Sequence, residues 1–128
     1  LLKTGGLINE TNVEVLTDAA DLSKGKEIFT VNCVSCHNAD GGGGVGPNLT
    51  DEYWIHGGGI KNVFAIVKNG VTAKGMIAWQ TQLNPKQMNQ VSSYVLTLQG
   101  TKPASPKAPE GIVWVDTTAT TPKDTLKE

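Results

Sequence analysis

Cys33-Val34-Ser35-Cys36-His37 is a C-x-x-C-H run, and its reading decides the fold. Two thiols three positions apart can each add across one vinyl group of a haem, giving two thioether bonds. The histidine beside the second thiol is then carried under the porphyrin, where its imidazole ligates the iron. A redox dithiol uses the same spacing but sits in a βαβ context, and no such alternation is visible here. A structural zinc site needs four ligands, whereas the chain holds two cysteines and only one histidine besides His37, namely His56. The run predicts one covalent haem c on Cys33, Cys36 and His37; a dithiol or a plain disulfide is the reading left beside it.

Composition agrees with a cofactor-built core. The chain has 128 residues, enough for one small domain with tails, and aromatic side chains make up only 5% of it. So few large side chains make a thin core, and a buried haem supplies the missing apolar mass. A formal net charge of -1 excludes a general nucleic-acid binder. All eleven basic residues are lysines, and no acid lies between Glu52 and Glu110, a stretch that carries Lys61, Lys68, Lys74, Lys86, Lys102 and Lys107. That asymmetry reads either as a solvated surface or as a docking patch for a redox protein partner, with Lys61, Lys68 and Lys74 around the haem edge. No stretch has the length of a membrane-spanning helix and no signal peptide is visible, so a membrane anchor is expected outside this chain. The isolated domain is expected to be a monomer. Haem attachment outside the bacterial cytoplasm places it on the periplasmic side of the cytoplasmic membrane.

Residues 1–20 read as an extended lead-in, 21–100 as the haem domain and 101–128 as a proline-rich linker and tail. The first helix is expected to start at Asp21 or Ser23, either of which can cap it, and to run through Gly25 and Phe29 to Cys33. Gly41-Gly42-Gly43-Gly44 reads as a flexible loop; no Gly-Lys-Ser/Thr follows, which argues against a phosphate cradle. Ile60, Val63, Phe64 and Val67 share one helix face that Gly70 can end. Asn84, Pro85 and Gln87 provide a capping box for the last helix, whose stripe is Met88, Val91, Tyr94, Val95 and Leu98 and whose end is set at Gly100. Thr101–Glu110 reads as a stiff extended linker and Ile112–Val115 as an apolar island that can pack back on the domain. No strand series is evident.

A second iron ligand decides between open-site chemistry and electron transfer. Met76, after Gly75 in a stretch without a helical stripe, can swing in on a loop. Met88 lies on an apolar helix face and reads as core. His56 precedes Gly57-Gly58-Gly59 and reads as a loop residue. Met76 is preferred, then His56, then Met88 or no second protein ligand. Trp54 and Trp79 flank segments that must close over the porphyrin, and a haem propionate is a suitable acceptor for an indole N–H.

These landmarks together resemble a class I cytochrome c domain. Gly25 and Phe29 match the glycine and aromatic of that family's first helix, which cross the last helix at its aromatic, here Tyr94. Gly46-Pro47-Asn48-Leu49 is similar to the family's G-P-x-L loop, which implies haem contacts for Pro47 and Leu49 and a Pro47 carbonyl that accepts the proximal imidazole N–H. Gly75-Met76 is similar to the distal ligand loop. The runs from Gly46 to Ile60, from Gly75 to Trp79 and from Ala108 to Gly111 resemble, more finely, the membrane-anchored cytochrome c subunit, subunit III, of cbb-type haem–copper oxidases. That subunit usually carries two haems, whereas this chain has one motif.

The resemblance implies an all-α class I cytochrome c fold, with three main helices and long loops around one haem c. It also implies one-electron transfer with His37 and Met76 on the metal, delivering electrons to a terminal oxidase or receiving them from its donor. The domain is not expected to be an enzyme in itself. A free soluble shuttle, the cytochrome subunit of a dehydrogenase and a haem enzyme or gas sensor are the competing readings.

Overall fold

A computed structural model describes residues 8–37, 40–44, 46, 48–50, 53–54, 57–72, 75–103 and 106–113, the side chains of Ser35, Cys36 and Ile112 excepted. Three main helices, α1 (Ala19–Asn32), α3 (Gly59–Asn69) and α4 (Pro85–Leu96), carry the architecture. A single turn, α2 (Val34–His37), follows α1, and two short strands, β1 (Tyr53–Trp54) and β2 (Ile112–Val113), pair antiparallel with Tyr53 opposite Val113. The fold is all-α, as expected, with this small clasp as its one addition among the described residues.

α1 begins earlier than its sequence suggests. Asp18 is the cap, its carboxylate accepting the Ala20 N–H at 3.1 Å. Asp21 and Ser23, the two expected caps, lie inside the helix, where Asp21 stands in the first turn and reaches α4. It accepts from Gln90 Nε2 at 2.9 Å and faces Lys86 Nζ at 3.7 Å. A carboxylate can serve either purpose, and the tertiary partner decided it.

The crossing of α1 and α4 rests on Gly25. A methyl group there would collide with the Gln90 carbonyl oxygen and stand 2.9 Å from Tyr94 Cβ, so the two backbones touch. One turn on, the rings of Phe29 and Tyr94 meet with centroids 5.5 Å apart and planes inclined at 59°, a tilted pair of the favourable kind. Burial pushes the Tyr94 phenol above its ordinary pKa.

α3 lays Val63, Phe64 and Val67 on the core and ends at Gly70, with the Gly70 N–H on Ile66 O at 2.7 Å. α4 carries the full capping box: the Gln87 N–H donates to Asn84 Oδ1 at 2.8 Å and the Asn84 N–H to Gln87 Oε1 at 2.9 Å. It closes at Leu96 rather than at Gly100. Beyond it, i→i−3 bonds from Thr97, Leu98 and Gln99 tighten the last turn, and Leu98 still reaches the core. Met88 is buried with Val91 and Val95.

The lead-in is held to the helices. Val13 belongs to the core, the Leu16 N–H donates to Ser93 Oγ at 2.9 Å, and Lys68 Nζ meets Glu10 Oε1 at 2.9 Å. The hydrogen bond from Lys68, seconded by a backbone bond, holds the Glu10 carboxyl below its ordinary value. A lowered folded value means stability that is present above the unfolded value and is lost as pH falls through the folded one. Glu10→Gln should therefore reduce stability near neutrality by at most about 1 kcal/mol, since the pair is a third exposed, and should match the parent in acid. Chemical denaturation of both proteins across the acid range checks it; parallel pH profiles would refute the assignment.

Candidate functional site

The C-x-x-C-H run is positioned by the end of α1. The Cys33 N–H donates to Phe29 O at 2.8 Å and closes that helix, and the His37 N–H donates to Cys33 O at 3.0 Å across α2. First cysteine and histidine are thus one turn apart by geometry as well as by count. Cys33 is half-buried and packs on the core that Phe29 and Phe64 fill.

A loop from Asp40 to Thr50 stands against the histidine. The Gly43 N–H donates to His37 O at 3.0 Å. At Gly46 a methyl group would stand 2.5 Å from His37 Cε1 and 2.9 Å from each ring nitrogen. The imidazole therefore lies flat on bare backbone, and only glycine allows it. Pro47, the expected acceptor for the imidazole, lies outside the described residues. Leu49 packs on the core while its N–H donates to Gly41 O at 2.7 Å.

Met76 sits on a pinched loop at the end of α3. Val71 and Met76 exchange both backbone hydrogen bonds, at 2.8 and 3.1 Å, and the Trp79 N–H returns to Val67 O at 3.0 Å. Gly75 turns the loop with φ +92°, a conformation that side chains disfavour. The thioether of Met76 and the indole of Trp79 are half-buried on the same core as Cys33, Leu49 and Trp54. The structure thus brings five of the eight residues expected at the site onto one core, with His37 one turn from Cys33. Pro47 and the Cys36 side chain are outside the described residues, as is the alternative ligand His56.

Three of the lysines in the acid-free stretch have carboxylate partners. Lys68 is engaged by Glu10 at 2.9 Å, Lys86 by Asp21 at 3.7 Å and Lys107 by Glu110 at 3.4 Å. For Lys68 and Lys86 the acid comes from a distant part of the chain, whereas Glu110 lies three residues from Lys107. Lys61 is exposed, and Lys74 lies outside the described residues.

The chemistry of these residues fits a haem c. An imidazole, a thioether and a thiol are the donors that iron and a vinyl group require. Half-buried apolar side chains (Leu49, Trp54, Ile60, Met76, Trp79, Leu83) rim a core with two fully buried aromatics among the described residues, Phe29 and Phe64. Trp54 Nε1 is buried with no acceptor among the described residues, and such a donor is expensive to leave unmade. Nothing in the structure explains the other such atom, Ser92 Oγ. Asn48 carries a role that the sequence did not signal. It is buried, accepts from both the Thr50 N–H and hydroxyl, and donates through Nδ2 to Lys107 O at 3.1 Å.

Residues 20–95 match the family described as cytochrome c oxidase, cbb3-type, subunit III. The chain is 40% identical over 85 residues to the cbb3-type cytochrome c oxidase subunit FixP of Bradyrhizobium sp. strain ORS 278, covering 64% of this chain and 29% of that one. To the corresponding subunit CcoP of Rhodobacter capsulatus it is 34% identical over 99 residues, covering 68% and 33%. The chain thus spans about a third of the length of these relatives. The crystal structure of cytochrome cL from Methylophaga aminisulfidivorans superposes with a TM-score of 0.60 at 22% identity, over 65% of this chain and 56% of that one, a likeness of fold.

Proposed function

This chain belongs to the cytochrome c oxidase, cbb3-type, subunit III family, and from that premise we propose that it is a one-electron carrier built on a single covalent haem c. The observation that carries the proposal is the C-x-x-C-H run closing α1, with the His37 imidazole seated flat on Gly46. Cys33 and Cys36 would attach the group through their thiols, and His37 and Met76 would ligate its iron. When bound, haem c would supply Fe(III)/Fe(II) exchange, and a thioether with an imidazole as ligands would favour the ferrous state over two imidazoles. The protein's own part is ligation, burial and orientation. Gly46 and the Gly43 N–H hold the His37 turn, the pinned loop of Val71 to Trp79 presents Met76, and Trp54 Nε1 offers a hydrogen bond to a carboxylate of the group.

The setting follows from the same premise. The domain passes electrons to a terminal haem–copper oxidase, or receives them from its donor, at the periplasmic face of the cytoplasmic membrane. No helix among the described residues is long and apolar enough to cross a membrane. The intact mass of the denatured polypeptide tests the central claim. It should equal the chain plus one haem, and acid–organic extraction should leave the group attached. A mass equal to the bare chain, or to the chain with one disulfide, would refute it.

A further inference from the structure

Sequence alone makes the stretch after α4 a linker, yet its backbone is bound into the site. The Lys107 N–H donates to Gly42 O at 2.8 Å, and Lys107 O accepts from Asn48 Nδ2 at 3.1 Å. β2 then pairs with β1, placing Ile112 opposite Trp54. The approach leaves no room for side chains. A methyl group on Gly42 would stand 2.8 Å from Pro103 Cβ, and one on Gly43 would stand 2.9 Å from Lys107 Cβ. The glycine run is therefore a seat for the returning chain.

The seat and the histidine share one loop. Gly43, pressed by Lys107 on one side, donates to His37 O on the other. Asn48, which grips Lys107 O, holds Thr50 through its Oδ1, and Thr50 O in turn accepts the Gly100 N–H at 2.8 Å. Between them lies Gly46, on which the imidazole rests. We infer that residues 106–113 are a clamp that presses the loop of residues 40–50 onto His37, so that this segment and Asn48 are positioning elements for the proximal ligand. The inference rests on the reading of His37 as that ligand.

Replacing Lys107 by proline removes one N–H donor and keeps an extended backbone between Pro106 and Ala108. Lys107→Ala removes the side chain, with its contact to Glu110, and keeps the donor. In the haem-loaded protein, amide hydrogen exchange at Gly43 and Leu49 reads the loop, and the iron-shifted ring resonances of His37 read the ligand. Lys107→Pro should speed exchange at Leu49 by about fivefold or more, as loss of one anchoring hydrogen bond would, and should shift the His37 resonances. Lys107→Ala should do neither. Gly42→Ala, which meets Pro103 from the loop side and removes no donor, should move the same resonances. Unchanged exchange in Lys107→Pro overturns the clamp, and so does faster exchange with unmoved His37 resonances. Lack of iron-shifted His37 resonances in the unaltered protein would overturn the ligand reading instead, while Leu49 exchange would still report the clamp.

Discussion

Met76→Ala is expected to abolish the sulfur-to-ferric-iron absorption band and to let the ferrous protein bind carbon monoxide, which the unaltered protein should refuse. The expectation follows from what alanine removes and what it leaves. The backbone bonds between Val71 and Met76 do not involve the side chain, and neither does the return of the Trp79 N–H to Val67 O. The loop should therefore persist with its ligand atom gone. Met76 is only half-buried, so the loss of packing should fall below the roughly 2–5 kcal/mol of a fully buried methionine truncation. Met88 is the control: it is buried in the core, and Met88→Leu conserves volume and should keep the absorption band. A Met76→Ala protein with unaltered spectra would pass the ligand role to His56.

The parts legible in the sequence are those with short-range causes. The capping box at Asn84, the stop at Gly70 and the stripe of Val63, Phe64 and Val67 each depend on residues within a turn or two, and the structure shows all of them. The Gly25 crossing was legible only through the resemblance to class I cytochromes c, because the use of that glycine appears only with Tyr94 opposite. The sequence is less decisive where a residue has two competing partners. Asp21 can cap a helix or hold Gln90, and Lys68 can face solvent or Glu10; the choice belongs to the tertiary fold.

The glycine loop and the chain after α4 could not be read from either segment alone. Gly41 to Gly44 look flexible by themselves, and a proline-rich stretch looks like a spacer. Their meaning is mutual, because Gly42 and Gly43 are bare so that Pro103 and Lys107 can approach. Buried Asn48 is legible in retrospect only through Thr50 two residues on, an Asx pattern that ties the loop locally without announcing Lys107. The Asn48–Lys107 bond that ties this scaffold together thus joins residues 59 apart in sequence.

Gly25→Val should lower the yield of haem-loaded protein sharply, and Gly25→Ala should already be destabilising. Helix propensity alone predicts the opposite for alanine, a gain of about 0.8–1 kcal/mol over glycine within a helix. Against that stands a collision between the new methyl and the Gln90 carbonyl, a backbone atom of α4 that cannot swing aside as a side-chain tip would. Relief requires the helices to part, which loosens Phe29 from Tyr94 (a pair worth about 0.5–1.5 kcal/mol beyond burial) and strains the Gln90–Asp21 hydrogen bond. Overpacking of this kind costs about 1–3 kcal/mol, so it outweighs propensity for alanine and more so for the larger, β-branched valine. Because Cys33 closes α1 two turns beyond Gly25, a displaced α1 presents the attachment thiols poorly, and haem incorporation should fail before the reduction potential of the surviving holo-protein moves. Thermal unfolding and holo-protein yield of the two variants decide it: a Gly25→Ala protein more stable than its parent would mean that propensity wins and that the crossing has slack.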